Sequence, residues 1–61
     1  MKRLDLLRHL LQHGRELKRE GSNHSWWWNP ELNTRSAVPR HREIVDPLAW
    51  KICQDLGIPR V

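Results

Sequence analysis

The sequence contains a single cysteine, Cys53, and therefore no cysteine pair at the spacing that binds zinc. This excludes a disulfide framework and a cysteine-rich structural metal site as sources of stability. A chain of 61 residues makes one domain, residues 1 to 61, with a thin core, because it buries only about 60% of the surface that its unfolded form exposes. We therefore expect one small domain without roomy pockets, folded in a reducing compartment.

Long hydrophobic runs are also missing. Asp5, Arg8 and His9 interrupt the apolar positions near the N-terminus, so no signal-type segment forms and no stretch is long enough to span a bilayer. The chain also lacks repeats and low-complexity tracts. These absences predict a cytoplasmic protein with no membrane partner.

Positive charge exceeds negative charge. Eleven lysines and arginines stand against seven aspartates and glutamates, giving a formal net charge of +4. The excess favours a polyanionic partner such as nucleic acid. Charge alone is a weak indication, since many small soluble proteins are equally basic.

A leucine-rich segment near the N-terminus predicts a helix over residues 2–13. Its leucines recur with helical spacing and form one broad apolar stripe. The stripe consists of Leu4, Leu7 and Leu11, with Leu6 and Leu10 beside them. The exposed face then carries Lys2, Arg3, Asp5, Arg8, His9, Gln12 and His13. Gly14 follows the last periodic residue, where helices commonly end.

A second helix is predicted near the C-terminus. Asp46 suits the N-cap and Pro47 the first helical position, and Gly57 with Pro59 ends the element. The apolar stripe is Ala49, Ile52, Cys53 and Leu56. Trp50 falls outside that stripe, so it is either a partner contact or an ordinary surface aromatic.

Three short extended segments lie between the helices. Residues 15–20 read as a charged edge strand, residues 24–29 as an aromatic strand, and residues 34–38 as a third strand that Pro39 stops. The order predicts an α+β two-layer sandwich, α-β-β-β-α, whose three-stranded antiparallel sheet has both helices on one face. The other face stays open and is the natural place for function.

The most informative segment carries a histidine, then one serine, then three consecutive tryptophans. Alternation along a strand places His24, Trp26 and Trp28 on one face and Trp27 on the other. One of the two faces must be core. The residues alone leave open which one it is.

Several short motifs occur in order along nearly the whole chain. They are the opening helix ending His13-Gly14, the turn Gly21-Ser22-Asn23-His24, the aromatic Trp27, the segment Val38-Pro39-Arg40-His41 and the ending Leu56-Gly57-Ile58. In these motifs the chain resembles HicA-type toxins, small RNA-cleaving components of bacterial toxin–antitoxin pairs. Trp27 keeps the family's spacing of three residues from the histidine, whereas Asn23 interrupts the usual Gly-Ser-His run.

The resemblance implies a double-stranded-RNA-binding-domain-like fold, endoribonuclease activity on mRNA without a cofactor, and neutralisation by a HicB-type antitoxin. It places Trp27 against the helices and leaves Trp26 and Trp28 on the open face. The inverted arrangement, with Trp27 outside, is the alternative.

His24 is the candidate catalytic residue, because RNA cleavage without a metal needs a general acid or base that titrates near neutral pH. His41 is a candidate second proton-transfer group or a phosphate contact. Residues expected to bind RNA are Lys18, Arg19, Trp26, Trp28, Arg40, His41 and Arg42.

Two other functional classes remain open for the chain. A noncatalytic RNA-binding module would use the same basic and aromatic residues, and an antitoxin-docking interaction protein would use the tryptophans alone. His9 and His13 have a spacing that can bind a metal, but without a further ligand a surface pair is the favoured interpretation, and no metal site is predicted.

Overall fold

The computed structural model describes residues 1–61 and has five elements. They are helix α1 (Arg3–Gln12), strands β1 (Glu16–Glu20), β2 (His24–Asn29) and β3 (Thr34–Pro39), and helix α2 (Asp46–Asp55). The strands form one antiparallel sheet in the order β1-β2-β3. This confirms the predicted α-β-β-β-α architecture of the α+β class. Neither helix is long and apolar enough to cross a membrane.

Both helices pack on one face of the sheet and enclose a single core. Trp27 of β2, whose side chain is 5% exposed, lies in this core, which confirms the predicted orientation of the three tryptophans. Its indole N–H has no hydrogen-bond partner, so packing of the ring alone holds Trp27 in place. The other core residues are Leu6, Leu10, Val38, Ile44, Ala49, Ile52, Cys53 and Leu56.

Cys53 is fully buried in the stripe of α2, as predicted. Burial raises the pKa of its thiol. The thiol therefore stays protonated and acts as a small hydrophobic side chain rather than a nucleophile.

The buried side of α1 differs from the predicted stripe. Leu6 and Leu10 are fully buried, whereas Leu4 is 69% and Leu11 60% exposed. The predicted stripe is therefore confirmed for Leu6 and Leu10 and wrong for Leu4 and Leu11, while Leu7 is partly buried against the core. Five leucines cover nearly half of the helix circumference, so the periodicity marked a broad arc without locating its buried centre.

The boundaries of the elements differ from the prediction by one residue at several places. α1 begins at Arg3, β1 begins at Glu16, and β3 runs through Pro39, which lies opposite His24. Asp46 is not the N-cap of α2. Val45 occupies that position in an extended conformation without a side-chain cap, and Asp46 is already helical. At this position its carboxylate still interacts favourably with the positive, N-terminal end of the helix dipole.

Leu10→Ala is expected to lower the free energy of unfolding by about 2–5 kcal/mol, because it leaves a cavity in the core. Leu11→Ala, one residue further on the same helix, is expected to change it by less than about 0.5 kcal/mol. Urea denaturation followed by circular dichroism measures both values. Equal losses would contradict the placement of these two leucines.

Candidate functional site

His24 lies at the start of β2, exposed, beside the segment that follows β3. Because β2 and β3 pair with His24 opposite Pro39, the chain brings His41 to the same end of the sheet. Both histidines line one groove with a volume of about 360 Å³. The groove is lined by Ser22, Asn23, His24, Pro39, Arg40 and His41. The structure thus brings together the two histidines that the sequence suggested as proton-transfer groups.

The turn before His24 is tight and needs a glycine. The backbone N–H of Gly21 donates to the carbonyl of His24 over 2.8 Å. A Cβ at Gly21 would lie 3.0 Å from that same carbonyl oxygen, closer than side chains normally approach. The sequence feature Gly21-Ser22 therefore fixes the backbone on which the candidate catalytic residue sits.

Arg40 holds this turn from the opposite side. Its guanidinium donates to the carbonyls of Gly21 and Ser22, the latter over 2.7 Å, and to Glu20 Oε1 over 2.7 Å. Sequence reasoning assigned Arg40 to RNA binding. In the structure its side chain is 39% exposed and most of its donors are engaged within the protein.

A chain of polar contacts continues from Glu20 into the helix layer. The hydroxyl of Ser25 donates to Glu20 Oε1 over 2.6 Å and accepts from Arg3 Nη2 over 2.9 Å. Arg3 Nε also donates to the carbonyl of Pro39 over 2.9 Å. Arg3, predicted on the exposed face of α1, therefore turns inward, which corrects that prediction.

We call this set of four side chains, Arg3, Ser25, Glu20 and Arg40, the polar clamp. Of these four residues, the sequence pattern pointed only to Arg40 as part of the site. A small polar residue at the inward position of an aromatic strand, Ser25, was the available signal, because a buried hydroxyl needs a partner. The clamp joins α1, β2, β1 and the segment after β3 next to His24.

The polar clamp also sets the charge of Glu20. The hydrogen bond from Ser25, and then the hydrogen bond and positive charge of Arg40, lower the pKa of this carboxyl group below its ordinary value. Glu20 is therefore a carboxylate throughout the neutral range.

The open face of the sheet carries Trp26 and Trp28, both half-buried. The ammonium of Lys18 lies 3.9 Å from the centre of the Trp28 ring, and the guanidinium carbon of Arg19 lies 5.9 Å from that of Trp26. Such cation–π contacts at exposed sites are each worth about 0.5–1 kcal/mol. Of the predicted RNA-binding residues, Lys18, Arg19 and the two tryptophans thus form one layer, whereas Arg40, His41 and Arg42 lie elsewhere.

An irregularity in β1 explains why two consecutive basic residues share this face. Leu17 pairs with Trp27 and Arg19 with Trp26, so Lys18 is an extra residue in the register. A bulge of this kind changes the alternation of side chains along the strand. It also places Glu20 opposite Ser25, where the polar clamp requires it. The sequence pattern showed no such bulge.

Arg35 joins the same face, although sequence reasoning did not select it. It lies opposite Trp28 in the pairing of β2 with β3 and borders a small hollow together with Lys18, Arg19 and Trp26. The sequence pattern carried no signal for this placement, because it depends on the register of β3 against β2. We define the basic-aromatic face as Lys18, Arg19, Trp26, Trp28 and Arg35.

Arg42 lies apart from the histidine groove. It borders a second groove with a volume of about 640 Å³ between the start of α1 and the segment after β3. That groove is lined by Lys2, Arg3, Leu4, Arg40, Arg42 and Glu43. Because Arg40 borders both grooves, the basic surface continues from one to the other.

His9, His13 and Trp50 lie outside the two grooves and the basic-aromatic face. The rings of His9 and His13 are 4.6 Å apart, and His9 Nε2 lies 2.6 Å from the carbonyl of Pro59. No group of three or more His, Cys, Asp or Glu side chains is placed to hold a metal ion. Trp50 is 37% exposed, with the guanidinium of Arg60 4.4 Å from its ring centre.

No protein family, curated protein or solved structure matches the chain significantly. The resemblance to HicA-type toxins is therefore supported by the sequence motifs alone.

Glu20→Gln is expected to destabilise the protein at neutral pH, because it removes the charged partner of Arg40. Since folding lowers the pKa of Glu20, the stabilisation is present above the ordinary glutamate pKa and is lost as pH falls through the folded-state value. The difference from the parent protein is therefore expected to shrink as the pH is lowered from neutrality through the ordinary glutamate pKa and then through the lower folded-state value. Thermal melts across this range measure it.

Glu31→Gln removes an equal charge outside every ion pair of the protein and controls for net charge. A Glu20→Gln deficit that stays constant as the pH falls would contradict the role given to this carboxylate.

Proposed function

We propose that the protein is a metal-independent endoribonuclease that cleaves mRNA in the cytoplasm, as the toxin of a HicA/HicB-type pair. His24 acts as a general acid or base. The observation that carries the proposal is the presence of His24 and His41, both exposed, in one groove beside Arg40.

Two imidazoles in one groove suit transesterification of RNA. One neutral imidazole removes the proton of the ribose 2′-hydroxyl, whose oxygen then attacks phosphorus. One imidazolium protonates the departing 5′-oxygen, so no proton is left over. Histidine titrates near neutral pH, and both forms are available there. His24 takes one role and His41 the other, and the RNA supplies the nucleophile.

Arg40 supplies positive charge next to the reacting phosphate. Negative charge grows on the phosphoryl oxygens in the transition state, and a cation held in place stabilises it without reorganisation. The contacts of Arg40 with Glu20 and Ser22 hold the guanidinium at the edge of the groove. In this proposal Arg40 acts by its fixed field, whereas RNA affinity comes from other cations.

A noncatalytic RNA-binding module is the second candidate. The basic-aromatic face favours it, because stacked cations and indoles bind RNA without any need for His24. The two candidates differ in turnover. Neutralisation by a HicB-type antitoxin belongs to the first candidate and rests on the sequence resemblance.

His24→Ala is expected to reduce cleavage of a long single-stranded RNA in excess EDTA by about 10²–10⁴-fold, the usual contribution of a general acid or base. His41→Ala is expected to lose a comparable factor. His13→Ala, which removes an exposed histidine outside the groove, is the matched control and keeps full activity. Electrophoresis of the RNA over time gives the rates.

Circular dichroism must show each variant folded. RNA that stays intact with the parent protein, under conditions where the protein binds it, would refute the ribonuclease and favour the binding module. Cleavage that survives His24→Ala would remove His24 from the chemistry.

A further inference from the structure

We propose that the basic-aromatic face is a binding surface for single-stranded RNA that delivers the strand to the His24 groove. Lys18, Arg19 and Arg35 contact phosphates, and the two indoles stack on unpaired bases. The proposal rests on the proposed function for RNA as the ligand. It adds that the bound RNA is single-stranded, that its binding surface is separate from the histidine groove, and that Arg35 contacts phosphate.

The charge of the face selects a polyanion. Three cations project from β1 and β3, and Glu16, paired with Trp28, is the single acid on the same side. Lys18, Arg19 and Arg35 make no ion pair within the protein. These three side chains are therefore free to contact phosphates directly, whereas most N–H donors of Arg40 are engaged within the protein.

Each of the two tryptophan rings on this face has a basic side chain beside it. Lys18 lies over Trp28 and Arg19 faces Trp26. Lys18 is exposed and has a flexible four-carbon stem, so it can swing to a phosphate and uncover the indole. The ring then accepts a base. Base–aromatic stacking is the stronger contact of the two, and the exchange favours binding.

Stacking on indoles requires unpaired bases. In a duplex both faces of each base are covered by neighbouring base pairs, whereas single strands can splay their bases onto aromatic side chains. A surface that reads RNA through Trp26 and Trp28 therefore prefers a single strand over a helix of the same length.

The face leads directly to the candidate catalytic residue. His24, Trp26 and Trp28 occupy alternate positions of β2 and share one side of the sheet. Successive side chains on one side of a strand are about 6.6 Å apart. An RNA strand lying along β2 therefore passes from the tryptophans to His24 within a few nucleotides.

The test uses a short 2′-O-methyl RNA oligonucleotide, single-stranded or annealed to its complement. Its blocked 2′-hydroxyls prevent the proposed cleavage, so binding is measured apart from turnover. Fluorescence anisotropy gives the Kd at several salt concentrations for the parent protein and the triple variant Lys18→Ala/Arg19→Ala/Arg35→Ala. The control variant, Arg8→Ala/Lys51→Ala/Arg60→Ala, removes the same charge from the surface outside the face.

Loss of three phosphate contacts is expected to flatten the dependence of log Kd on log salt by about 2, since each contact to a single strand contributes about 0.7. The control triple is expected to keep nearly the parent slope. The duplex is expected to bind more weakly than the single strand. Binding of the single strand should also change tryptophan fluorescence in the parent protein.

Equal slopes of log Kd against log salt for the two triple variants would overturn the proposal. Equal affinity for the duplex and the single strand would overturn the preference for single-stranded RNA. Absence of RNA binding at low salt would also overturn it and would leave the face to a protein partner. These outcomes separate from those of the proposed function. If RNA binds through this face but is never cleaved, only the proposed ribonuclease activity is overturned. If RNA is cleaved but the triple variant keeps the parent salt dependence of binding, only the proposed binding surface is overturned.

Discussion

The hydrogen-bond chain of the polar clamp is the constraint on which the site depends. It runs from Arg3 through Ser25 and Glu20 to Arg40 and so ties the first helix to all three strands. A thin core cannot by itself fix a turn at the edge of the sheet. The clamp supplies that rigidity where His24 emerges, with charge-assisted hydrogen bonds, which are the stronger kind.

The two faces of strand β2 have different roles. Trp27 faces the helices and completes the core, while Trp26 and Trp28 remain on the open side under the cations. The bulge at Lys18 affects both faces of the sheet. It places Lys18 and Arg19 on the open face and Glu20 opposite Ser25, within the polar clamp. A single extra residue in the edge strand thus contributes both to the polar clamp beside His24 and to the proposed RNA surface.

The sequence predicted the element order, the approximate positions of both helices and the inward placement of Trp27, because these follow from local periodicity, turn residues and the motif spacing that carries the resemblance. It misplaced Leu4 and Leu11, since a broad arc of leucines does not locate its own centre. It also missed the inward turn of Arg3, which depends on a hydroxyl that is distant in sequence. Arg35 went unselected because its neighbours depend on strand register, which propensity does not determine.

In the proposed function, two histidines cleave RNA through the ribose 2′-hydroxyl. Mass spectrometry of the fragments produced by the purified protein in excess EDTA tests this mechanism. We expect a 2′,3′-cyclic phosphate, or the 3′-phosphate or 2′-phosphate formed by its hydrolysis, on one fragment and a 5′-hydroxyl on the other. Fragments with a 3′-hydroxyl and a 5′-phosphate would contradict it, because that outcome requires water rather than the ribose as the nucleophile.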